Sequence, residues 1–137
     1  MGFNLARFVI AQQDVYSIAL RELRAGRKES HWMWFIFPQI RGLGRSDTAR
    51  FYAISGLSEA EAYLNHSIVG PRLEECTHAM LSHPDLGAHD ILGSPDDVKF
   101  HSSMTLFGAV ARSGSSFEKA LEVFYGGEGD QATLAAL

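Results

Sequence analysis

Residues 94–111, SPDDVKFHSSMTLFGAVA, carry the start signals and the apolar spacing of a long helix. Ser94 can cap the first turn, and Pro95 suits the first helical position. The carboxylate of Asp97 complements the positive end of the helix dipole. Apolar side chains then follow at three- and four-residue spacing. This segment therefore predicts a helix that ends at about Ala111.

Similar signals divide the rest of the chain into short helical segments. No two alternating apolar and polar runs are joined by a hairpin turn, which disfavours a β-sheet. Residues 31–38, HWMWFIFP, are apolar on all sides and predict either a buried helix or a buried strand. One further helix is predicted from Asn4 to Gly26 and another from Ser46 to Tyr52. A third begins at a Ser58–Glu61 capping box, and a fourth has Pro71 in its first turn. Ser115 or Ser116 caps a fifth, and Asp130 caps a short last one.

Short helices with tight connections predict an all-α fold, a single compact α-helical domain over residues 1–137 with its helices in a non-bundle, orthogonal array. The chain has 137 residues, 46% of them hydrophobic, which disfavours a disordered protein. Its single cysteine, Cys76, excludes an internal disulfide framework and a cysteine-rich zinc site. The N-terminal segment lacks the pattern of a signal peptide, and no apolar run reaches the roughly 20 residues of a membrane span. We therefore expect a cytoplasmic protein with no membrane partner.

The charges are unevenly distributed along the sequence. Residues 1–50 carry eight basic and four acidic side chains, whereas residues 51–137 carry four basic and twelve acidic ones, which gives +4 and −8 and a net charge of −4. This asymmetry fits either an anionic ligand bound by the first half or two halves that pack through complementary charges. The overall acidity makes a nucleic-acid partner unlikely.

Residues 41–46, RGLGRS, form the segment with the clearest pattern for ligand binding. Gly42 and Gly44 allow a close approach of the backbone, while Arg41 and Arg45 can each bind phosphate or carboxylate oxygens through two parallel hydrogen bonds. Ser46 then opens a helix, whose free N–H groups favour an anion. The alternative is a tight turn between helices, with both arginines paired to acidic residues of the second half.

Two further segments contain candidate functional residues. His31 and Trp34 belong to the aromatic segment, which predicts either the central core or a pocket wall on which a flat ring could stack. Lys99, Ser102 and Ser103 share one side of the helix predicted after Ser94, as a nucleophile and its base would, although hydroxyls inside helices more often bond to the preceding turn. The spacing of the histidines does not predict a metal site.

Four segments resemble, in order, the signature segments of the bacterial DUF1810 family. The resemblance covers roughly residues 3–125, implies a mainly α-helical fold of similar length, and carries no catalytic residue across. The segments are FNLARFVIAQ, RELRAGRKESHWMWFIFPQIRGLGRS, YLNHSIVGPRLEEC and GSPDDVKFHSSMTLF. The family's motif positions fall on His31, Trp32, Trp34, Gln39, Arg41, Gly42, Gly44, Arg45, Lys99, Ser102, Ser103 and Thr105.

The leading functional expectation is a module that binds a small anionic ligand, such as a nucleotide or an ADP-ribose-like metabolite, without a cofactor or a metal. One alternative is an enzyme that hydrolyses such a ligand or transfers a group from it, with His31 as the general base or Lys99 as an acid. A second alternative is a protein-interaction or structural module, and a homo-oligomer stays open. The candidate ligand-binding residues are His31, Trp34, Gln39, Arg41, Gly42, Gly44, Arg45, Ser46, Lys99, Ser102 and Ser103.

Overall fold

The computed structural model describes residues 2–137, which form ten helices joined by short connections. Within that range the backbone forms no strand, and the isolated parallel bridge between Ile40 and Ile54 is the β-type pairing that occurs. The all-α prediction is therefore confirmed. The helices are α1 (Ala6–Gln12), α2 (Tyr16–Arg24), α3 (Met33–Ile36), α4 (Asp47–Phe51), α5 (Leu57–Asn65), α6 (Val69–Leu81), α7 (Ala88–Leu92), α8 (Asp96–Val110), α9 (Ser116–Tyr125) and α10 (Gln131–Ala136).

Helix α8 lies at the centre of the molecule and packs against α5, α7, α9 and α10. Its side chains Phe100, Met104 and Phe107 are completely buried in one core cluster. The ring of Phe100 meets the ring of Phe37 edge to face, with 4.8 Å between their centroids. Residues 33–36 of the aromatic segment thus form the short helix α3, and Phe37 after it packs against α8, so the strand alternative is wrong.

The helix predicted from Asn4 to Gly26 is in fact two helices, α1 and α2, with a break between Gln12 and Tyr16. The Gln12 side chain is buried and donates from Nε2 to the Phe35 carbonyl oxygen at 2.7 Å. The break lets α1 pack against α3 while α2 packs against α6. Tertiary contacts therefore outweigh the continuous helical spacing of the sequence.

Three predicted N-caps are confirmed. The hydroxyl of Ser46 accepts a hydrogen bond from the Ala49 N–H, and the hydroxyl of Ser115 accepts one from the N–H of Glu118. The carboxylate of Asp130 accepts from the N–H of Thr133 in α10. These caps are local in sequence, which is why residue spacing predicts them.

Other predicted helix starts are displaced. Helix α5 begins at Leu57 after Gly56, so the capping box expected at Ser58 and Glu61 does not form. Helix α8 begins after Pro95, with no cap from Ser94. Helix α6 starts two residues before Pro71, and the sequence did not predict α7.

A buried carboxylate fixes the chain that leads into α3. Glu22 of α2 accepts hydrogen bonds from the backbone N–H groups of Glu29 and Ser30 and from the Ser30 hydroxyl. It also accepts from the indole Nε1–H of the completely buried Trp32, at 2.9 Å. Glu22 is therefore the partner that a buried tryptophan N–H requires.

Candidate functional site

The loop that follows α3 is held at both sides of Ile40 by backbone hydrogen bonds to Ile54. The N–H of Arg41 donates to the Ile54 carbonyl oxygen at 2.7 Å, and the N–H of Ile54 donates to the Gln39 carbonyl oxygen at 2.8 Å. These bonds form the isolated parallel bridge. They fix the backbone from which the side chain of Arg41 projects into solvent.

The two glycines of this loop have structural roles. Gly42 has a φ of +100°, a conformation that other residues rarely adopt. A Cβ atom on Gly44 would lie 2.4 Å from the Cβ of Ala49, so only glycine allows the loop to contact α4 this closely. The tight-turn interpretation therefore accounts for both glycines.

The arginines of the same loop line an open cavity of about 450 Å³, which we call the arginine pocket. Arg50 of α4 joins Arg41 and Arg45 in its wall, and no acidic residue lines it. Among residues 2–137, none of these three side chains makes a salt bridge or a hydrogen bond. The arginine pocket is lined by Arg41, Gly42, Gly44, Arg45, Arg50 and Ala53.

Other basic side chains of the first half are paired with acidic residues of the second half. Salt bridges join Arg7 to Glu59 at 3.0 Å, Arg24 to Glu75 at 3.4 Å, and Lys28 to Asp96 at 2.9 Å. Complementary packing of the two halves therefore explains part of the charge asymmetry. It does not explain the three arginines of the arginine pocket.

A second concavity, of about 310 Å³, lies between the loop and α8, and we call it the α8 groove. Gly44 lines both this groove and the arginine pocket, so the two adjoin. The α8 groove is lined by Gln39, Leu43, Gly44, Pro95, Val98, Lys99, Ser102, Asp130 and Ala132. The structure thus brings Lys99 and Ser102 of α8 to the same face as Gln39 and the glycines and arginines of the loop.

The ammonium group of Lys99 lies over the half-buried Trp34, with Nζ 5.4 Å from a ring centroid. It is 3.9 Å from Oδ1 of Asp96, whose other oxygen is bound by Lys28 at 2.9 Å. The crevice beside Trp34 has a volume of about 10 Å³. That space is too small for a planar ring, so Trp34 supports Lys99 there instead of stacking on a ligand.

Three candidates lie outside these cavities. His31 is exposed and lines neither the arginine pocket nor the α8 groove. The Ser46 hydroxyl caps the five-residue helix α4, so the chain itself occupies that helix start. The Ser103 hydroxyl is completely buried and has no hydrogen-bond partner within residues 2–137.

Two charged residues of this face were not predicted as ligand-binding. Arg50 follows Arg45 by five positions, and its proximity depends on how the loop folds back on α4. Asp130 was predicted only as a helix cap, and 28 residues separate it from Ser102 in the same groove. Spacing in the sequence carries no signal for either position.

The hydrogen bonds of α8 show how Lys99 and the two nearby serines are placed. In the part of the chain that the structure describes, no hydrogen bond joins Lys99 to Ser102 or Ser103, and the Ser102 hydroxyl is bonded to Thr133 at 2.7 Å. Burial raises the pKa of the Cys76 thiol to about 12, so this thiol is not a nucleophile at neutral pH.

Three further features concern metal binding, membrane spanning and the two tryptophans. No group of three histidine, cysteine or acidic side chains within residues 2–137 is arranged to hold a metal ion. Over the same residues, every helix is too short or too polar to cross a membrane. Trp32 is completely buried, and Trp34 is half-buried.

The comparisons with known proteins agree with this architecture. The chain is similar to a solved protein described as the conserved hypothetical protein Rv1873 from Mycobacterium tuberculosis, with 50% sequence identity and a TM-score of 0.96. The match covers 98% of this chain and 96% of that one. No curated protein matches the sequence. The profile of the family described as "Protein of unknown function (DUF1810)" matches residues 2–137, and the chain belongs to that family.

Proposed function

We propose that the arginine pocket binds the phosphate of a small anionic ligand, of the nucleotide or ADP-ribose kind. The observation that carries this proposal is the contrast between paired and unpaired basic residues. Arg41, Arg45 and Arg50 line one cavity without a carboxylate in its wall, whereas Arg7 and Lys28 are neutralised by salt bridges. An anion between the guanidinium groups would relieve their mutual repulsion and satisfy their N–H donors.

Pyrophosphate is a suitable first probe because it carries the charge of such a ligand without a base or a sugar. We expect calorimetric titration to show binding to the wild-type protein. Replacing Arg41 and Arg45 together by Gln should weaken that binding by at least about tenfold, since one charge-assisted hydrogen bond contributes roughly 1.5–3 kcal/mol. Glutamine keeps much of the side-chain length, and both arginines are exposed, so the fold should persist.

The matched control replaces the exposed Arg21 and Arg27 together by Gln, which removes the same two charges outside the arginine pocket and the α8 groove. Its affinity for pyrophosphate should stay within about twofold of the wild type. Equal weakening by this control and by the Arg41 and Arg45 variant would show that only net charge matters, and would contradict the proposal. No binding to the wild type would contradict the proposal.

We also propose that the protein acts in the cytoplasm of a bacterium. Cys76 is buried and unpaired, as suits a reducing compartment. The similar solved protein comes from Mycobacterium tuberculosis, which is a bacterium.

A further inference from the structure

The α8 groove adjoins the arginine pocket but offers different chemistry. Its wall contains the ammonium of Lys99, the carboxylate of Asp130, and the polar side chains of Ser102 and Gln39. The arginine pocket has only cations as charged groups, whereas the groove has one charge of each sign. A ligand that spans both would need an anionic end and an uncharged polar end.

Hydrogen bonds link Ser102, Thr133 and Asp130 beside the groove, and each hydroxyl donates towards Asp130. The hydroxyl of Thr133 donates its single proton to Oδ2 of Asp130 at 2.6 Å. The contact of 2.7 Å between the hydroxyls of Ser102 and Thr133 must therefore have Ser102 as its donor. Both protons are used inside the protein, and Ser102 retains only accepting capacity.

The second carboxylate oxygen of Asp130, Oδ1, takes no part in these hydrogen bonds. Oδ2 accepts from both the N–H and the hydroxyl of Thr133, while no hydrogen bond within residues 2–137 reaches Oδ1. Asp130 is half-buried in the wall of the groove. A group that donates a hydrogen bond would satisfy this oxygen, whereas a second phosphate would be repelled by it.

We infer that the α8 groove binds the hydroxylated sugar of a phosphorylated ligand, with Asp130 accepting from its hydroxyl groups and Lys99 donating to its oxygens. This inference rests on the proposed function, because the phosphate of the same ligand occupies the arginine pocket. The volume of about 310 Å³ lies at the lower end of ligand pockets, roughly 300–1,000 Å³, and suits one sugar ring. Because the proposed ligand is of the nucleotide or ADP-ribose kind, its class is a pentose phosphate or the pentose phosphate part of a nucleotide.

The test compares ribose 5-phosphate with ethyl phosphate, which has the same anionic group and no hydroxyl groups. Wild-type protein should bind ribose 5-phosphate about tenfold more tightly than ethyl phosphate in calorimetric titrations. Asp130→Asn should lower this ratio to about threefold or less, since only the contact from Lys99 remains. Asparagine caps helices as well as aspartate does, and its amide nitrogen turns the free acceptor into a donor.

The control Asp85→Asn removes one negative charge from an exposed residue that lines neither cavity, and it should keep the wild-type ratio. Equal affinities in the wild type, or an unchanged ratio in Asp130→Asn, would overturn the inference while leaving phosphate binding intact. Failure of both phosphates and of pyrophosphate to bind would overturn the proposed function together with it.

Discussion

Replacing Glu22 by Ala should lower the free energy of unfolding by about 3–5 kcal/mol, measured by urea denaturation. The substitution leaves two backbone N–H groups and the indole N–H of Trp32 without their common acceptor. Trp32 is completely buried, so its indole N–H would lose its partner inside the core. A loss below about 1 kcal/mol would show that Glu22 does not hold this segment.

The pH dependence of the free energy of unfolding checks the role of the same carboxylate. Burial opposes the ionisation of Glu22, but the hydrogen bonds from Ser30, Glu29 and Trp32 outweigh it and lower the pKa to about 2. Against an unfolded pKa of about 4.5, this corresponds to about 3 kcal/mol, present above pH 4.5 and lost as the pH falls towards 2. Glu22→Gln should lack this part of the acid transition.

Replacing Arg7 by Met should cost about 3–5 kcal/mol of the free energy of unfolding. The guanidinium binds Glu59 at 3.0 Å and donates to the carbonyl oxygens of Phe51 and Ala53. Side-chain exposures of 10% for Arg7 and 4% for Glu59 mean that the remaining carboxylate would be buried without its counter-charge. Thermal and urea unfolding would both measure the loss.

A double-mutant cycle separates this ion pair from general packing. Arg7→Met combined with Glu59→Gln should cost less than the sum of the single changes, by roughly 1–3 kcal/mol. The matched control Arg24→Met breaks the exposed pair with Glu75 and should cost less than about 1 kcal/mol. Additive losses in the cycle would contradict a coupled pair.

The parts of the fold that sequence could predict are those fixed by neighbouring residues. Ser46, Ser115 and Asp130 cap their helices through donors three positions away, so spacing alone predicts them. The break after Gln12 is different, because its causes are the Phe35 carbonyl and the Tyr63 hydroxyl. Contacts across 23 and 51 positions leave no periodic signal.

The same limit applies to the candidate site. The loop arginines stand out in the sequence because two glycines accompany them, but the sequence does not show whether Arg41 and Arg45 are paired. Pairing depends on acids such as Glu59 and Asp96, which the fold places next to Arg7 and Lys28 instead. Only the three-dimensional structure distinguishes the basic side chains that form salt bridges from the arginines of the arginine pocket.

The central claim is that the arginine pocket binds phosphate. A crystal structure of the protein with pyrophosphate tests it most directly. We expect the anion to lie within hydrogen-bond distance of the guanidinium groups of Arg41 and Arg45, with Gly42 and Gly44 in their present conformations. An anion bound elsewhere, or arginines turned onto carboxylates while the pocket excludes pyrophosphate, would contradict the account.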